Sequence, residues 1–375
     1  MRGLYLTAYD LTNKSDGVAK KILSQIACFK RFGIDMTIVD ASNLQNVDVD
    51  PVKNFISRGL GTSYQTDLLY SYVAKMPNLS EYDFMYIRKG FCDKRQIEAL
   101  RQIRAQNANL KILMEYPTFP YDKEIRGRKR LVALPIDQKY RKDIARFIDR
   151  AVTFSDDSEL FGAKTLVISN AIDYDRVKIS QQIEHDGVNM IAVALFGIFH
   201  GYDRLLMAMA RDKELVQSRK IHFHLVGDGF AIKNYKDIVK KHSLEKYVTF
   251  HGRLGGELLD KVYDICDIAI DTLGRHRVGC YYNSSLKGKE YGAKGLPMIS
   301  GVKTDLDKYK EDFYFRVSAD ESPIALKSII DFYDDLVSKE SKKHLSERIR
   351  NTTKKYFAYD VSFKAVLDYV AERDE

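Results

Sequence analysis

Three segments bring together residue types that handle phosphate. In Lys14-Ser15-Asp16-Gly17-Val18, Gly17 has no side chain to block an anion from the free backbone amides that open a helix. Phe196-Gly197-Ile198-Phe199-His200-Gly201-Tyr202 is a second glycine-flanked turn into a helix, with His200 placed to hydrogen-bond a diphosphate. The third, Tyr282-Asn283-Ser284-Ser285-Leu286-Lys287-Gly288-Lys289-Glu290, offers more. Ser284 or Ser285 suits a helix N-cap, so unpaired amides, the positive end of a helix dipole and Lys287 would meet in one place. One turn past Leu286, Glu290 would face the same way and accept hydrogen bonds from the vicinal hydroxyls of a ribose. Each segment also has a plain reading: a capped turn, a structural histidine, a solvated Lys-Glu pair.

A fourth candidate is Glu115, at the end of the run KILMEY and ahead of Pro117-Thr118-Phe119-Pro120-Tyr121. The aromatics suit stacking on a sugar, and Glu115 would either touch the transferring group or acceptor hydroxyl, or face the core. Asp48-Val49-Asp50 has the form of a metal-binding DxD, but it precedes Pro51 in a loop and reads as a solvated turn. No metal site is expected.

These loops need strands before them and helices after them, and the chain supplies both. GLYLTAY (3–9), IDMTIVD (34–40), FMYIR (84–88), KILMEY (111–116), AVTFS and TLVIS read as strands. Helices are expected around 18–32, 66–74, 96–105 and 136–150, the last strongly basic. Periodicity lapses between Asn170 and Asn189, then resumes with MIAVALFG, IHFHLVGDG, VTFHG, DIAIDTL, LPMIS and FYFRV, with helices from Tyr202 and over 256–264, 285–293, 322–338 and 361–372. Alternation of this kind makes parallel sheets, whose ligands bind beyond the carboxyl ends of the strands. The expected fold is α/β with two Rossmann-like domains facing each other across a cleft. The first is residues 1–175, with 355–375 packing back on it, and the second is 186–354.

Bulk properties narrow the field. At 375 residues, 45% apolar and 30% charged, the chain suits two globular cores. The four cysteines, Cys28, Cys92, Cys266 and Cys280, lie too far apart for zinc or redox motifs and read as reduced core thiols. MRGLYLTAYD is too quickly polar for a signal peptide and no run is long enough to span a bilayer, so a cytoplasmic protein is expected. A net charge of +8 favours anionic partners, but no aromatic-basic repeat or zinc-finger spacing points to nucleic acid. Arg126, Arg128, Lys129 and Arg130 precede a helix whose Lys139, Arg141, Lys142, Arg146 and Arg150 lie opposite an apolar stripe of Ile136, Tyr140, Ile144, Phe147 and Ile148. Segment 126–150 would therefore rest on an anionic membrane surface, or its stripe is core.

The succession Val226-Gly227-Asp228-Gly229, Phe250-His251-Gly252-Arg253 and Ser285-Leu286-Lys287, followed by Glu290-Tyr291-Gly292-Ala293-Lys294-Gly295-Leu296-Pro297, resembles the second domain of glycosyltransferase family 4, of the GT-B fold. Ile168-Ser169-Asn170-Ala171-Ile172-Asp173 is similar to the segment that ends that family's first domain, and Ser15 to Val18 to its glycine loop. The resemblance implies that Glu290 holds the donor ribose. It implies that the amides around Ser285 to Lys287 hold the diphosphate, with Arg253 near the base or phosphates, and the donor-binding residues so expected are Gly17, Gly197, Gly227, Arg253, Asn283, Ser284, Ser285 and Leu286. Two departures stand out. Tyr282 occupies the place of the first glutamate of the family's two-glutamate motif, and the basic pair expected near Gly197 is reduced to His200, leaving Lys287 and His200 as substitutes.

The activity so implied is a retaining, metal-independent transfer of a hexose or related sugar from a nucleotide-diphosphate sugar to a glycan or lipid-linked acceptor, in surface polysaccharide or glycolipid synthesis. The donor is a substrate, and no cofactor is expected. Two alternatives stay open: a sugar-nucleotide or glycan-binding protein without transfer, suggested by Tyr282, and a nucleotide-sugar epimerase of the same fold.

Overall fold

Continuous apolar runs such as FMYIR and KILMEY are buried on both faces, as parallel strands between helix layers require. In the computed structural model, which describes residues 1–12, 17–46 and 64–372, these runs build two separate sheets. The glycine loop at Lys14 to Asp16 and the Asp48-Val49-Asp50 triplet lie outside the described residues.

The first sheet contains β1 (Arg2–Leu6), β2 (Asp35–Val39), β3 (Phe84–Arg88), β4 (Lys111–Tyr116), β5 (Arg150–Thr153), β6 (Glu159–Leu160) and β7 (Ala163–Val167). Its order is β2-β1-β3-β4-β5-β7-β6, parallel except for the short β6. The second contains β8 (Val188–Leu195), β9 (Ile221–Asp228), β10 (Val248–Gly252), β11 (Ile268–Ile270), β12 (Met298–Ser300) and β13 (Tyr314–Arg316). Its order, β10-β9-β8-β11-β12-β13, is that of the doubly wound Rossmann sheet, and it is parallel throughout. In such a sheet the crossovers reverse direction between β8 and β11, and ligands bind beyond the carboxyl ends of the strands at that point.

Two compact units result: Met1–Ile168 with Ser362–Glu375, and Ser169–Val361. The first is therefore discontinuous in sequence. Phe363, from its returning C-terminal segment, packs on Phe29 and Tyr86 with ring centres 5.9 and 6.3 Å apart. Helix Lys364–Ala371 follows, and Lys111 Nζ of β4 donates to the carbonyl of Tyr369 at 3.2 Å.

Several expected helices have different bounds. The basic helix expected over 136–150 runs from Ala133 to Ile144, after a short helix Gly127–Leu131, and gives way to β5 at Arg150. Pro135 is accommodated in its first turn, where an amide hydrogen has no helical partner anyway. The final helix breaks at Phe363, between Tyr359–Ser362 and Lys364–Ala371. Two of the described helices of ten or more residues went unread in the sequence: Ile232–Lys241 and Lys342–Phe357. The second is capped by Ser341, whose hydroxyl accepts from His344 N. Its contact face is sparse, with Leu345, Ile349 and Phe357 buried and Thr353 filling the remaining turn. At ~1.5–3 kcal/mol for each buried large apolar side chain, those three contribute roughly 5–9 kcal/mol, which outweighs the weak propensity of so polar a segment.

Candidate functional site

The β8–β11 crevice is built by two glycine-hinged loops in the second unit. After β8 the chain enters a single turn, Ile198–His200, and reaches Gly201 at φ +65°; after β11 it passes Gly274 into a turn at Arg275–Val278. A Cβ on Gly201 would lie 2.5 Å from the Gly274 nitrogen, so close apposition of the two loops requires glycine there. The carbonyl of His200 accepts from Leu273 N at 2.7 Å, which locks the loops together.

Three cationic or proton-donating side chains converge here. His200 is buried, and its Nδ1 accepts from the Gly197 amide at 2.8 Å, leaving the proton on Nε2. Burial, with Lys287 and Arg275 nearby, pushes its pKa down to about 2, so the ring is neutral and donates one hydrogen bond. Lys287 is half-buried. Burial and the Arg275 charge pull its pKa below the usual lysine range, against the pull of Asp271 and Glu290. Arg275 lies over the Phe199 ring at 4.7 Å. Its neighbours take other roles: Arg277 is held by Asp203 and Glu321, and His276 by Glu321.

Helix Leu286–Lys294 starts between β11 and β12, with Ser285 rather than Ser284 as its N-cap. The Ser285 hydroxyl accepts from Gly288 N and donates to Asp271 at 2.9 Å, so it is occupied within the protein. The amides of Leu286 and Lys287 have no acceptor within the helix and remain at the positive end of its dipole. Glu290 is half-buried. One of its oxygens accepts from the Tyr263 hydroxyl at 3.2 Å, and burial raises its pKa.

Other expected site residues serve the scaffold. Gly197 spends its amide on His200, so that amide does not reach a ligand. Ser284 is buried: its hydroxyl donates to Asp305 at 2.5 Å and accepts from Asn170 N at 2.8 Å, while its carbonyl accepts from the Asn170 side chain. It therefore anchors the loop in front of the helix instead of facing solvent. Asn283 N is tied to the Lys303 carbonyl at 2.9 Å. Gly227, at φ +132°, passes so close to β8 that a Cβ would lie 1.9 Å from Ala194 O, so packing alone demands glycine. Arg253 stands exposed at the end of β10, 3.7 Å from Asp228.

Gly17 and Glu115 belong to the first unit. Gly17 opens helix Gly17–Arg31 with open space where a Cβ would be. Glu115 takes the core-facing alternative. It is fully buried, receives hydrogen bonds from Gln25 and Tyr86 at 2.7 Å each and from Arg88, and lies 3.7 Å from Lys21 Nζ. Burial alone would raise its pKa, yet the Lys21 and Arg88 charges hold it below the usual carboxylate range. With its lone pairs engaged and its proton affinity lowered, it is no proton acceptor for a substrate. The basic segment is split likewise. Ile144 and Ile148 are core and Arg141 pairs with Asp122 at 2.6 Å, whereas residues 126–131 are exposed, Leu131 at 78%.

Arg275 is the residue that sequence reading passed over. Its signal was the Arg275-His276-Arg277 run behind Gly274 in the loop that follows an apolar strand, the same strand-to-turn grammar that drew attention to His200. Among the described residues no cluster of His, Cys, Asp and Glu is arranged to hold a metal ion, and no helix is long and apolar enough to cross a membrane.

No family model matches the chain, and no curated protein matches it. Solved structures do. A glycosyltransferase from Rickettsia africae is 13% identical, with 98% of this chain and 97% of that one covered and a TM-score of 0.65. A sucrose-phosphate synthase from Thermosynechococcus elongatus is 15% identical over 98% of both chains, TM-score 0.66. Anabaena HepE, solved with UDP, is 12% identical over 99% of this chain and 100% of its own, TM-score 0.62. At such identities likeness speaks for architecture alone, and the architecture is that of the GT-B glycosyltransferases, with one α/β unit carrying a Rossmann sheet whose crevice gathers His200, Arg275 and Lys287.

Proposed function

We propose that this chain is a glycosyltransferase that binds a nucleotide-diphosphate sugar over the second sheet and transfers the sugar, with retention and without a metal, to a glycan or lipid-linked acceptor. One observation carries the reading. A neutral histidine N–H, two cations and two helix-terminal amides meet at the crevice of a doubly wound sheet, where a diphosphate finds both charge and directed donors. The fold shared with a neighbour solved with UDP and with UDP-glucose supports a nucleotide sugar as the donor.

When the bond from the sugar's anomeric carbon to the diphosphate breaks, negative charge grows on the leaving oxygen. Lys287, Arg275 and the His200 Nε2–H stabilise it from positions that the loops and the helix start already hold. Glu290, positioned by Tyr263, takes the ribose hydroxyls. The test is a thermal-shift screen against UDP, GDP, ADP and CMP and their sugars, because a ligand that binds only the folded chain stabilises it by mass action. A shift with one nucleoside diphosphate and its sugars supports the reading; none with any of them removes it.

Tyr282 motivates a second reading, of a sugar-nucleotide-binding protein without transfer. Donor binding with neither acceptor-dependent nor water-dependent nucleotide release would establish it.

A lipid-linked acceptor fits the exposed segment 126–131, where Leu131 projects among Arg126, Arg128, Lys129 and Arg130. Flotation with anionic vesicles should depend on these residues, and equal recovery of a Lys129→Glu/Arg130→Glu/Leu131→Ser variant would dismiss the contact.

A further inference from the structure

The first sheet has a switch point of its own. From β1 the chain crosses to β2 on one side and then to β3 on the other, so its crossovers reverse between β1 and β3, where a parallel sheet binds ligands beyond its carboxyl ends. The strand registers put Tyr5 beside Tyr86 and Arg88 beside Glu115, and Phe154, two residues past the partner of Glu115, continues the same face. Helix Gly17–Arg31 brings Lys21 onto that face, its ammonium 3.7 Å from Glu115 and 3.8 Å from the centre of the Phe154 ring. Arg88 closes β3, and its guanidinium lies 5.6 Å from the ring centre of Tyr9, which is exposed just beyond β1.

The charges here do not balance. Among the described residues Glu115 is the only carboxylate acting on Lys21, and it is already paired with Arg88. Its oxygens accept from Arg88, Gln25 and Tyr86, while Lys21 stays beyond hydrogen-bonding distance. One carboxylate thus faces two cations, Lys21 at 7% exposure and Arg88 at 8%. Taking a charge out of water is costly unless it is paired, and the scaffold needs only one cation to neutralise Glu115. Burial lowers the Lys21 pKa to about 8, with Glu115 pulling it up and Arg88 down, so a further anion would stabilise the ammonium. Donors are left over as well. Arg88 spends Nη1 on Glu115, its buried Nε has no acceptor, and Nη2 bonds to no described residue. Nε–H and Nη2–H lie along one edge of the planar guanidinium, the edge that grips two oxygens of a single oxyanion. Lys21 Nζ likewise donates to no described residue.

The geometry points to a second anion site, in which the Nε–Nη2 edge of Arg88 and the ammonium of Lys21 hold a phosphate or carboxylate group of the acceptor. This rests on the transferase reading in naming the acceptor: that reading gives the donor's diphosphate to Lys287 in the second unit, so an oxyanion held in the first belongs to the other substrate. The acceptor is then a phosphorylated or acidic sugar rather than a neutral one. The site binds and orients, and no bond is made or broken in it.

Glucose 6-phosphate, glucuronic acid and glucose are the probes, titrated calorimetrically into the full chain at low ionic strength, with and without saturating UDP. One of the two acidic sugars should bind about tenfold more tightly than glucose, the scale of one hydrogen bond to a charged group, and the one that does names the anion. Lys21→Met keeps the aliphatic stem, and Arg88→Lys keeps a charge opposite Glu115 but loses the two-donor edge. Each should remove the preference and leave UDP affinity unchanged, and Lys21→Met, which deletes a surplus buried cation, should melt no lower than the parent. No preference for either acid, or a preference that survives both variants, overturns the inference. So does a preference that saturating UDP abolishes, which would place the acid at Lys287. If UDP fails to bind while an acidic sugar binds in dependence on Lys21 and Arg88, the nucleotide-sugar reading falls and the anion site stands.

Discussion

The Nδ1 of His200 accepts the amide hydrogen of Gly197 at 2.8 Å, and that single bond decides which ring nitrogen carries the proton at the crevice. A side chain that keeps the Nδ1-type acceptor but lacks the distant N–H separates the two roles. His200→Asn is expected to retain the fold and lose on the order of 10²-fold in turnover, the scale of removing one donor to a developing anion. His200→Gln, which reaches further but cannot cap Gly197 in the same way, should also lose thermal stability. Equal turnover in His200→Asn and the parent would show that Nε2 does not face the leaving group.

Lys287 is held against its own preference, since burial and Arg275 both disfavour its charge. Lys287→Met keeps the aliphatic stem and removes the charge. The unliganded variant should melt at the parent temperature or a few degrees above it, yet show no shift with the nucleotide that stabilises the parent. A variant that is destabilised but still shifted by nucleotide would make Lys287 structural.

Glu115 answers to the opposite test. Replacement by Gln leaves Arg88 and Lys21 buried without their counter-charge, so Glu115→Gln should cost about 3–5 kcal/mol in chemical denaturation. Activity per folded molecule should hold within a fewfold. A stable, inactive variant would restore Glu115 to the reaction.

Acid should weaken the second unit through its histidines. Burial lowers His200 to about 2 and His224 to about 3, and it also lowers His222 and His251. His224 Nδ1 lies 2.9 Å from His251 Nε2, and His222 Nε2 lies 2.8 Å from Thr249 Oγ1. Because these folded-state pKa values sit below the unfolded value near 6.5, the unfolded chain takes up protons first as pH falls. Their stability contribution is complete above ~6.5 and is lost on acidification toward ~3, with His200 and His224 each adding up to ~1.4 kcal/mol per pH unit. Denaturant midpoints measured from pH 7.5 to 5 should fall, with a shallower slope in His224→Leu. A flat profile over that interval would contradict the buried, neutral state of these rings.

Where residues carried their structural role in their own composition, the sequence was readable. FMYIR and KILMEY match their strands end to end, because a parallel strand buried on both faces is a continuous apolar run with abrupt polar ends. Helix 342–357 escaped because Thr353 stands in the apolar stripe and the remaining contacts are too few to show a period. At the crevice the residue types were legible and their directions were not. Ser284, Ser285 and Gly197 have the chemistry to meet a phosphate, but Asp305, Asp271 and His200 claim those groups first, and such partners come from distant strands and loops. Arg275 and its neighbour Arg277 read alike in the chain. The positions of Asp203 and Glu321 make Arg277 an internal clamp, whereas Arg275 lies beside His200 and Lys287.

The discontinuity of the first unit also sets an order of events during synthesis. Its seven strands are all translated by residue 167, yet Phe363 and the helix that closes over Phe29 and Lys111 arrive only after Ser169–Val361 has been made. At ~5–20 residues per second, that insertion occupies the ribosome for roughly 10–40 s. Throughout that interval the aromatic seat at Phe29 and Tyr86 lacks its cover, while the second unit is made without interruption and has its last described strand by residue 316. The later-translated half is thus the one able to finish first, and the earlier half waits, adhesive, for the last stretch of its own chain.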